Sequence, residues 1–239
     1  MTNELLLVGS LILIYGMTLV AFGCFGKQGL YMWTTIATIA ANIEVLIFVK
    51  AFGMGMTLGN VLFASTFLVT DIASEIYGKK VANRAVKLGI VTSAAFMLLS
   101  QYWLLYTPHP TEDFAMPSMK IIFGNIPRLM IASFVVYAVA HIFDVWCYHK
   151  WWAFTEKRFG DKKKFLWLRN NGSTLLSQLI NTVLYTTFAF AGTFSTDKLI
   201  MTIISSYVIF VVTSFLDTPF VYLARWMYSK GTIQKRDEA

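Results

Sequence analysis

Two carboxylates near the end of a long apolar run are the residues of this sequence with the clearest chemical potential. Asp71 and Glu75 lie four residues apart, so a helix would place them one above the other on the same face. Asn60 precedes Asp71 by about three helical turns and falls on that face too. A carboxylate near the centre of a bilayer costs roughly 2.5–3.5 kcal/mol on insertion scales. The pattern therefore predicts a polar cavity inside a membrane rather than contact with lipid.

A second polar pattern lies in a later apolar stretch, where residues spaced by three and four follow one stripe of a helix. The stripe consists of Asn171, Thr174, Gln178, Asn181 and Tyr185. Inside a membrane such a stripe must face protein, a ligand or a water-filled cavity. Amides donate and accept hydrogen bonds, which suits a neutral solute with both kinds of group. Hydrogen bonding between helices, worth about 0.6 kcal/mol for each bond, is the alternative interpretation.

Other ionisable residues lie within apolar runs and are candidates for the same site. Asp144 needs a partner, and Arg169 is the cation that we expect to supply it. Glu44 is a further acid of this kind. His141 is interpreted as a histidine that is hydrogen-bonded within the bundle, although a proton relay is possible. Because a metal site needs three or four ligands and the spacing supplies no such set, we predict neither a metal nor a cofactor.

Two of these acids also have a purely structural interpretation. Glu75 and Lys79 are four residues apart in the order that favours a surface ion pair on a helix. Asp217 precedes Pro219, which we expect to kink or break the last helix because proline lacks a backbone donor. Asp217 would then cap the helical segment that restarts after the break.

The elements that must position these residues follow from the composition. The chain has 239 residues, of which 56% are hydrophobic and 14% are charged. Soluble proteins carry about 25% charged residues, so the sequence predicts an all-α integral membrane protein. The formal net charge of +7 does not indicate nucleic-acid binding, because the basic residues gather in short loops between apolar runs. Such loops are typical of topology signals and of contacts with anionic membrane lipids.

Seven apolar runs are long enough to cross a bilayer, which predicts a helical bundle of about seven transmembrane helices. The predicted spans are residues 5–25, 30–49, 58–77, 85–106, 128–148, 172–194 and 199–228. The loop of residues 107–125 and a polar tail complete the chain. Most of the Lys and Arg residues follow the odd-numbered spans. By the positive-inside rule, the N-terminus is therefore outside and the C-terminus is cytoplasmic.

Three segments of the sequence resemble a known family. The segments are GNVLFASTFLVTDIASEIYGKKVANRAV (residues 59–86), IPRLMIASFVVYAVAHIFDVWCYHK (126–150) and LWLRNNGSTLLSQLINTVLY (166–185). They resemble the YhhQ-type queuosine precursor transporters of the vitamin uptake transporter group, and the similarity covers about residues 30–228. Many members have Asp in the last segment where this chain has Asn181.

The resemblance implies a function and a domain organisation. The substrate would be a small-molecule 7-deazaguanine: 7-cyano-7-deazaguanine, 7-aminomethyl-7-deazaguanine or queuine. The implied location is the bacterial cytoplasmic (inner) membrane. Residues 29–229 would form the six-helix core of the family, which is similar to the membrane subunits of energy-coupling-factor vitamin importers. Residues 1–28 would add an N-terminal transmembrane helix, and residues 230–239 would form a cytoplasmic tail.

The predicted substrate-binding residues combine the acids, the amides and one arginine: Glu44, Asn60, Asp71, Glu75, Asp144, Arg169, Asn171, Gln178 and Asn181. A 7-deazaguanine presents N1–H and its 2-amino group as adjacent donors, which a carboxylate can accept side by side. One of Asp71, Glu75 and Asp144 would read that edge. Asn171, Gln178 and Asn181 would serve the acceptors.

Other functions remain open from the sequence alone. The chain contains no Gly-rich nucleotide-binding loop, so an ATPase would have to be a separate partner. A substrate-binding membrane subunit for another vitamin or nucleobase is one alternative, and a homodimer is a further possibility. An intramembrane enzyme is less consistent with the sequence, which lacks HExxH and GxSxG motifs.

Overall fold

The computed structural model describes residues 2–109, 114–124, 127–160, 164–231 and 233, with the backbone alone at residues 127–130. The helices are α1 (Asn3–Glu44), α2 (Gly59–Tyr77), α3 (Lys79–Trp103), α4 (Met116–Met119), α5 (Pro127–Phe159), α6 (Leu166–Phe190) and α7 (Thr196–Ser229), with a π-helical turn at Lys120–Gly124. Two short strands, β1 (Phe48–Ala51) and β2 (Met54–Thr57), lie between α1 and α2.

Helix α1 folds back on itself at Gly26, whose φ of 54° is non-helical. Asn3, at the start of the helix, donates a hydrogen bond to the carbonyl of Lys50, so the two halves run antiparallel. A Cβ at Gly29 would overlap the carbonyl oxygen of Ala21, so only glycine permits the two halves to approach this closely. We call residues 3–25 the first arm and residues 27–44 the second arm. The two arms correspond to the first two predicted spans.

The strands β1 and β2 form an antiparallel hairpin that the sequence analysis missed, since it assigned residues up to 49 to the second span. The hairpin turns at Phe52 and Gly53, which both have positive φ values, of 50° and 74°. Glu4 accepts a hydrogen bond from the backbone N–H of Phe52 and fixes the hairpin to the start of α1. We call this side of the molecule the hairpin end.

Six helical segments form a ring around α2. The second arm packs against α3, α3 against α5, α5 against α6, α6 against α7, and α7 against the first arm. Tyr15 of the first arm, for example, donates a hydrogen bond to the carbonyl of Thr213 in α7. Most of the side chains of α2 are buried, including Asp71 near its middle. The most enclosed helix of the bundle is therefore one that carries acids.

Large apolar side chains are exposed along the outer faces of the ring, as lipid contact requires. By length and composition, four helices in the described part of the chain could cross a membrane: α1, α3, residues Ile131–Phe159 of α5, and α7. Helices α2 and α6 do not meet that criterion because they carry the polar residues that the ring encloses. The prediction of an all-α membrane bundle is confirmed.

Several predicted boundaries differ from the structure. Helix α3 begins at Lys79 and α6 at Leu166, so basic residues assigned to loops are helical. Of the kink or break predicted at Pro219, the break is wrong, because α7 continues through this residue to Ser229. The loop of residues 107–125 contains α4 and the π-helical turn. Its residues 110–113 and 125, like most of the tail, lie outside the described residues.

The division into residues 1–28, 29–229 and 230–239 remains a prediction. The first arm is nevertheless an integral part of the bundle, because Tyr15 contacts α7 and Phe22 packs edge-on against Tyr77 of α2. Tyr77 lies at the opposite end of α2 from the hairpin. We call that side the basic end, since the turn at Lys27, the start of α3 and the end of α5 bring many lysines and arginines there.

Candidate functional site

The buried polar side chains of the molecule concentrate where α6 faces α2, α5 and α7. On α6 they follow the spacing of three and four that the sequence predicts, with additional members between: Arg169, Asn170, Asn171, Ser173, Thr174, Ser177, Gln178, Asn181 and Thr182. They form three layers, which we call the ion-pair layer, the carboxylate layer and the amide hollow, in order from the basic end to the hairpin end.

The ion-pair layer is centred on Glu75, in the last turn of α2. Arg169 donates to both carboxylate oxygens, with Nη2 at 2.7 Å from Oε1 and Nε at 2.9 Å from Oε2. Tyr148 of α5 donates to Oε2 at 2.9 Å, and Arg225 of α7 lies 3.1 Å from Oε1. Trp152 stacks on the guanidinium of Arg169, with 4.3 Å between the ring centroid and Cζ. Four helices are thereby joined at one buried carboxylate.

This geometry corrects two expectations. Arg169 is not the partner of Asp144, since its guanidinium binds Glu75 and the carbonyl of Lys164. Glu75 does not form a helical pair with Lys79, because Gly78 (φ 81°) ends α2 and turns the chain between them. The arginine reaches Glu75 because α6 begins earlier than predicted and presents Arg169 from inside the helix.

The carboxylate layer consists of Asp71, Asp144 and Asp217, from α2, α5 and α7, which are at most 1% exposed. Thr174 donates to Asp71 Oδ2 at 3.1 Å. Asp144 lies 2.9 Å from the hydroxyl of Ser177 and 3.3 Å from that of Thr70.

Asp217 accepts from Asn170 Nδ2 at 2.8 Å. The prediction that Asp217 caps a helix restarting at Pro219 is therefore wrong, because its side chain points into the bundle and binds α6. Thr218 adds to the same contact, since its hydroxyl accepts from Asn171 Nδ2 at 2.8 Å. Asn171 Oδ1 in turn accepts from Ser214 at 3.1 Å. These bonds hold α6 to α7.

His141 lies between the carboxylate layer and the amide hollow. Its Nε2 is 2.9 Å from the hydroxyl of Thr66, and its ring stacks on Phe67 with 4.0 Å between centroids. The interpretation as a histidine hydrogen-bonded within the bundle is confirmed. The hydroxyl of Thr66 donates to the carbonyl of Phe63 at 2.6 Å, so Nε2–H is the donor to Thr66. Among the described residues, His141 Nδ1 has no partner.

The amide hollow is a cavity of about 40 Å³ at the hairpin end. Its polar lining includes Asn60, Ser133, Asn181 and Tyr185. Asn181 donates to Gln178 Oε1 at 3.2 Å, and Asn60 makes a long contact of 3.5 Å to Ser206. Phe63 and Phe210 close the hollow with aromatic surface. A smaller hollow continues beside it and shares Asn60, Asn181 and Tyr185.

The structure thus brings together eight of the nine residues predicted for the site, along one axis between α2 and α6. Glu44 is the exception. It lies at the end of α1, partly exposed, and within the described residues its carboxylate forms no hydrogen bond to the three layers. It is adjacent in sequence to Val45, which lines the hollow, but it does not face it.

The sequence reasoning missed several residues of the layers: Thr70, Tyr148, Asn170, Ser177 and Arg225. For Asn170 and Ser177 a signal was available, because each lies next to a member of the α6 stripe. Arg225 was counted only as a topology signal. No single-sequence pattern links Tyr148 to Glu75, since that contact depends on how α5 packs against α2.

Comparisons with known proteins identify the family of this chain. The profile of the family described as "Putative vitamin uptake transporter" matches residues 57–224, which include the three layers apart from Arg225 and two residues that line the amide hollow, Ala41 and Val45. A protein of Bacillus subtilis (strain 168), named "Probable queuosine precursor transporter", is 36% identical over 203 residues, or 85% of this chain and 86% of the relative. No solved structure gives a significant match. The profile and this relative together show that the chain belongs to the vitamin uptake transporter family.

Proposed function

We propose that this protein imports queuosine precursors across the bacterial cytoplasmic membrane. The substrates would be 7-cyano-7-deazaguanine, 7-aminomethyl-7-deazaguanine or queuine. The observation that carries the proposal is the 36% identity, over most of both chains, to a relative with that transport function in its name. The buried carboxylates and amides of the three layers support it, because a deazaguanine offers two adjacent donors and one acceptor to such groups.

Asp71 is the carboxylate that we assign to the donor edge of the base. Within the described residues its Oδ1 has no hydrogen-bond partner, so one side of the carboxylate is available. Glu75 is a weaker candidate, since Arg169, Tyr148 and Arg225 already occupy both of its oxygens. Glu75 and Arg169 would instead position the helices around the site.

Gln178 and Asn181 are the amides that we assign to the rest of the heterocycle. Thr174, which contacts Asp71, lies four residues before Gln178, a rise of about 6 Å along α6. That span is comparable to the size of a fused bicyclic ring. Asn171 is excluded from this role by its bonds to Thr218 and Ser214. Asn60, at the mouth of the hollow, would contact the substrate as it enters.

Substrate binding requires the helices to move, because the amide hollow of about 40 Å³ has room for only a few water molecules. Alternating access provides such a motion. In the proposed cycle the substrate enters through the hairpin end, which would face outward, and leaves through the basic end, which would face the cytoplasm. The concentration of Lys and Arg at the basic end supports this orientation.

The test is restoration of queuosine in tRNA in a host that cannot make the base, with each precursor supplied at low concentration. We expect the wild-type gene to restore the modification and Asp71→Asn to reduce initial uptake of the precursor at least about tenfold, since one carboxylate–base contact is worth about 1.5–3 kcal/mol. Asp197→Asn is the matched control, because Asp197 is exposed in the first turn of α7. The recovered precursor should be chemically unchanged, as expected of transport rather than catalysis.

Normal uptake by Asp71→Asn would remove Asp71 from the binding site. Failure of the wild-type gene with all three precursors would overturn the proposed function itself.

A further inference from the structure

The carboxylate layer contains three buried acids without a buried cation to balance them. Asp71, Asp144 and Asp217 are 0%, 0% and 1% exposed. The neighbouring arginines Arg169 and Arg225 both form ion pairs with Glu75, which lies outside this layer. If all three were ionised, Asp144 and Asp217 would both repel Asp71. Three unpaired negative charges in a membrane interior would be very costly, so the layer requires a positively charged species that the side chains do not provide.

The hydrogen bonds of Asp144 are compatible with a proton as the species that balances it. Each hydroxyl carries a single proton. The hydroxyl of Thr70 lies 2.9 Å from the carbonyl of Phe67 but 3.3 Å from Asp144 Oδ2. The hydroxyl of Ser177 lies 2.9 Å from the carbonyl of Ser173 and 2.9 Å from Asp144 Oδ1. If these two protons point to backbone carbonyls, both hydroxyls present lone pairs to Asp144, and the carboxyl group must then be the donor.

Two further atoms of the layer lack donors. Asp71 Oδ1 and Asn170 Oδ1 are fully buried acceptors with no partner among the described residues. Asn170 donates through Nδ2 to Asp217, so its partnerless oxygen belongs to a side chain that contacts this layer. The layer as a whole therefore has more acceptors than donors, and added protons would correct this deficit.

The groups that surround the layer do not supply that proton. The first arm contributes Tyr15, α2 contributes Glu75, and α6 and α7 contribute Arg169 and Arg225, which both form ion pairs with Glu75. On α5 itself, His141 donates through Nε2 to Thr66, away from Asp144.

The remaining neighbours on α5 are Cys147, which is electrostatically coupled to Asp144, and Tyr148, which donates to Glu75. In the described part of the chain, no three side chains of His, Cys, Asp or Glu converge as metal ligands. A proton fits the separate carboxyls of this layer better than a metal ion does.

We propose that Asp144 is a proton-binding site that couples substrate import to a proton gradient. The inference builds on the proposed function. In the conformation described here, Asp144 holds the proton as a neutral carboxylic acid and donates to Ser177 or Thr70. When the ion-pair layer opens, the O–H bond breaks, the proton passes to water at the basic end, and the carboxylate remains. A proton from the hairpin end restores the acid, so that one proton enters with each substrate molecule.

The first experiment detects the proton directly and does not depend on transport. Infrared spectra of the purified full-length protein should contain the carbonyl band of a neutral carboxylic acid at neutral pH. This band should be lost in Asp144→Asn, retained in Asp197→Asn, and shifted in Ser177→Ala, which removes one acceptor. Absence of the band from the wild type, or the same band in Asp144→Asn, would overturn the proposal. Ser177→Ala keeps the test decisive if Asp144→Asn does not fold.

The second experiment measures coupling in proteoliposomes with 7-cyano-7-deazaguanine and with the membrane potential clamped. For one proton per substrate, the wild type should accumulate substrate up to about tenfold for each pH unit of inwardly directed proton gradient. Asp144→Asn, which imitates the protonated acid, should lose accumulation but keep counterflow exchange. A merely structural role would reduce both.

Each remaining outcome is decisive. Accumulation driven by a sodium gradient without a pH difference would make a metal cation the coupling species and contradict the proposal. Counterflow without accumulation under either gradient would contradict coupling but leave the transport function intact. Absence of any exchange would contradict the proposed function, and the infrared band would still decide whether Asp144 carries a proton.

Discussion

The two ends of the α2–α6 axis differ in how fully their polar groups bind one another. At the basic end, both oxygens of Glu75 are bound by partners from three other helices, at distances of 2.6–3.1 Å. At the hairpin end, the side chain of Asn60 makes long contacts within the described part of the chain, of 3.3 Å and 3.5 Å. The hydroxyl of Tyr185 is buried without a partner among the described residues.

This difference indicates which end can open at low cost. Opening the ion-pair layer would expose or separate a buried charge pair, whereas opening the amide hollow breaks weak neutral contacts. In the conformation described here the basic end is therefore the closed side, and the hairpin end is the side at which ligands would enter. For transport, the ion-pair layer must open at another step of the cycle.

The largest expected effect is on stability, from removal of Glu75. Glu75→Met would leave Arg169, which is fully buried, without its anion, and would cost about 3–5 kcal/mol of unfolding free energy. Arg169→Met should cost less, because Glu75 would keep Arg225 as a partner. Equilibrium unfolding in mixed detergent micelles, followed by circular dichroism, measures the difference.

The double variant Glu75→Met/Arg169→Met is the control for this comparison. Since it removes both buried charges, it should be closer in stability to the wild type than Glu75→Met is. If the double variant lost as much unfolding free energy as the two single variants together, Glu75 and Arg169 would not act as a pair. The cost of separating a buried charge pair would then not explain why the basic end is closed.

The next largest effect on stability comes from removing one tyrosine hydroxyl at each end of the axis. Tyr148→Phe removes a donor to Glu75 and should cost about 1.5–3 kcal/mol of unfolding free energy, the usual range for a bond to a charged group. Tyr185→Phe removes a buried hydroxyl that has no partner among the described residues, so stability should be unchanged or slightly higher. Its uptake of precursor should nevertheless fall, because the hydroxyl faces the proposed substrate path.

Unfolding and uptake measured on both variants separate the two roles. Equal losses of stability would show that the two ends are held alike. Normal uptake by Tyr185→Phe would argue against substrate contact in the amide hollow.

The sequence predicted the fold class well because insertion into a membrane requires long apolar runs, which are easily recognised in a sequence. All seven predicted spans lie mostly within helices at the expected places, and four of the five residues of the α6 stripe are buried as their spacing indicates. The turn at Gly26 was also marked in the sequence, by the polar residues that interrupt the apolar run. The second span ends early because Phe48–Ala51 pairs with Met54–Thr57, and strand pairing of so short a segment leaves little periodicity to detect.

The partners within the site could not be predicted, for a physical reason. The sequence predicts a pair between Arg169 and Asp144 because both fall near the same predicted membrane surface, yet the start of α6 at Leu166 directs Arg169 to Glu75. Successive side chains of an α-helix point in directions about 100° apart around its axis. An error of a few residues in the position of the helix therefore changes which neighbour a side chain faces. Pairing between helices depends on that position, which the stripe alone does not fix.

The smallest expected effect concerns specificity at the hairpin end, where Asn181 faces the hollow. Asn181→Asp would add a negative charge there. It should favour 7-aminomethyl-7-deazaguanine, whose amine is cationic, over the neutral 7-cyano compound by roughly tenfold, the equivalent of one charge-assisted hydrogen bond. Competition uptake with both precursors measures the ratio, and Asn83→Asp, in α3 near the basic end, controls for the added charge. An unchanged ratio of the two uptakes, with both uptakes intact, would place Asn181 outside the binding surface. The hairpin end would then serve only as an entrance.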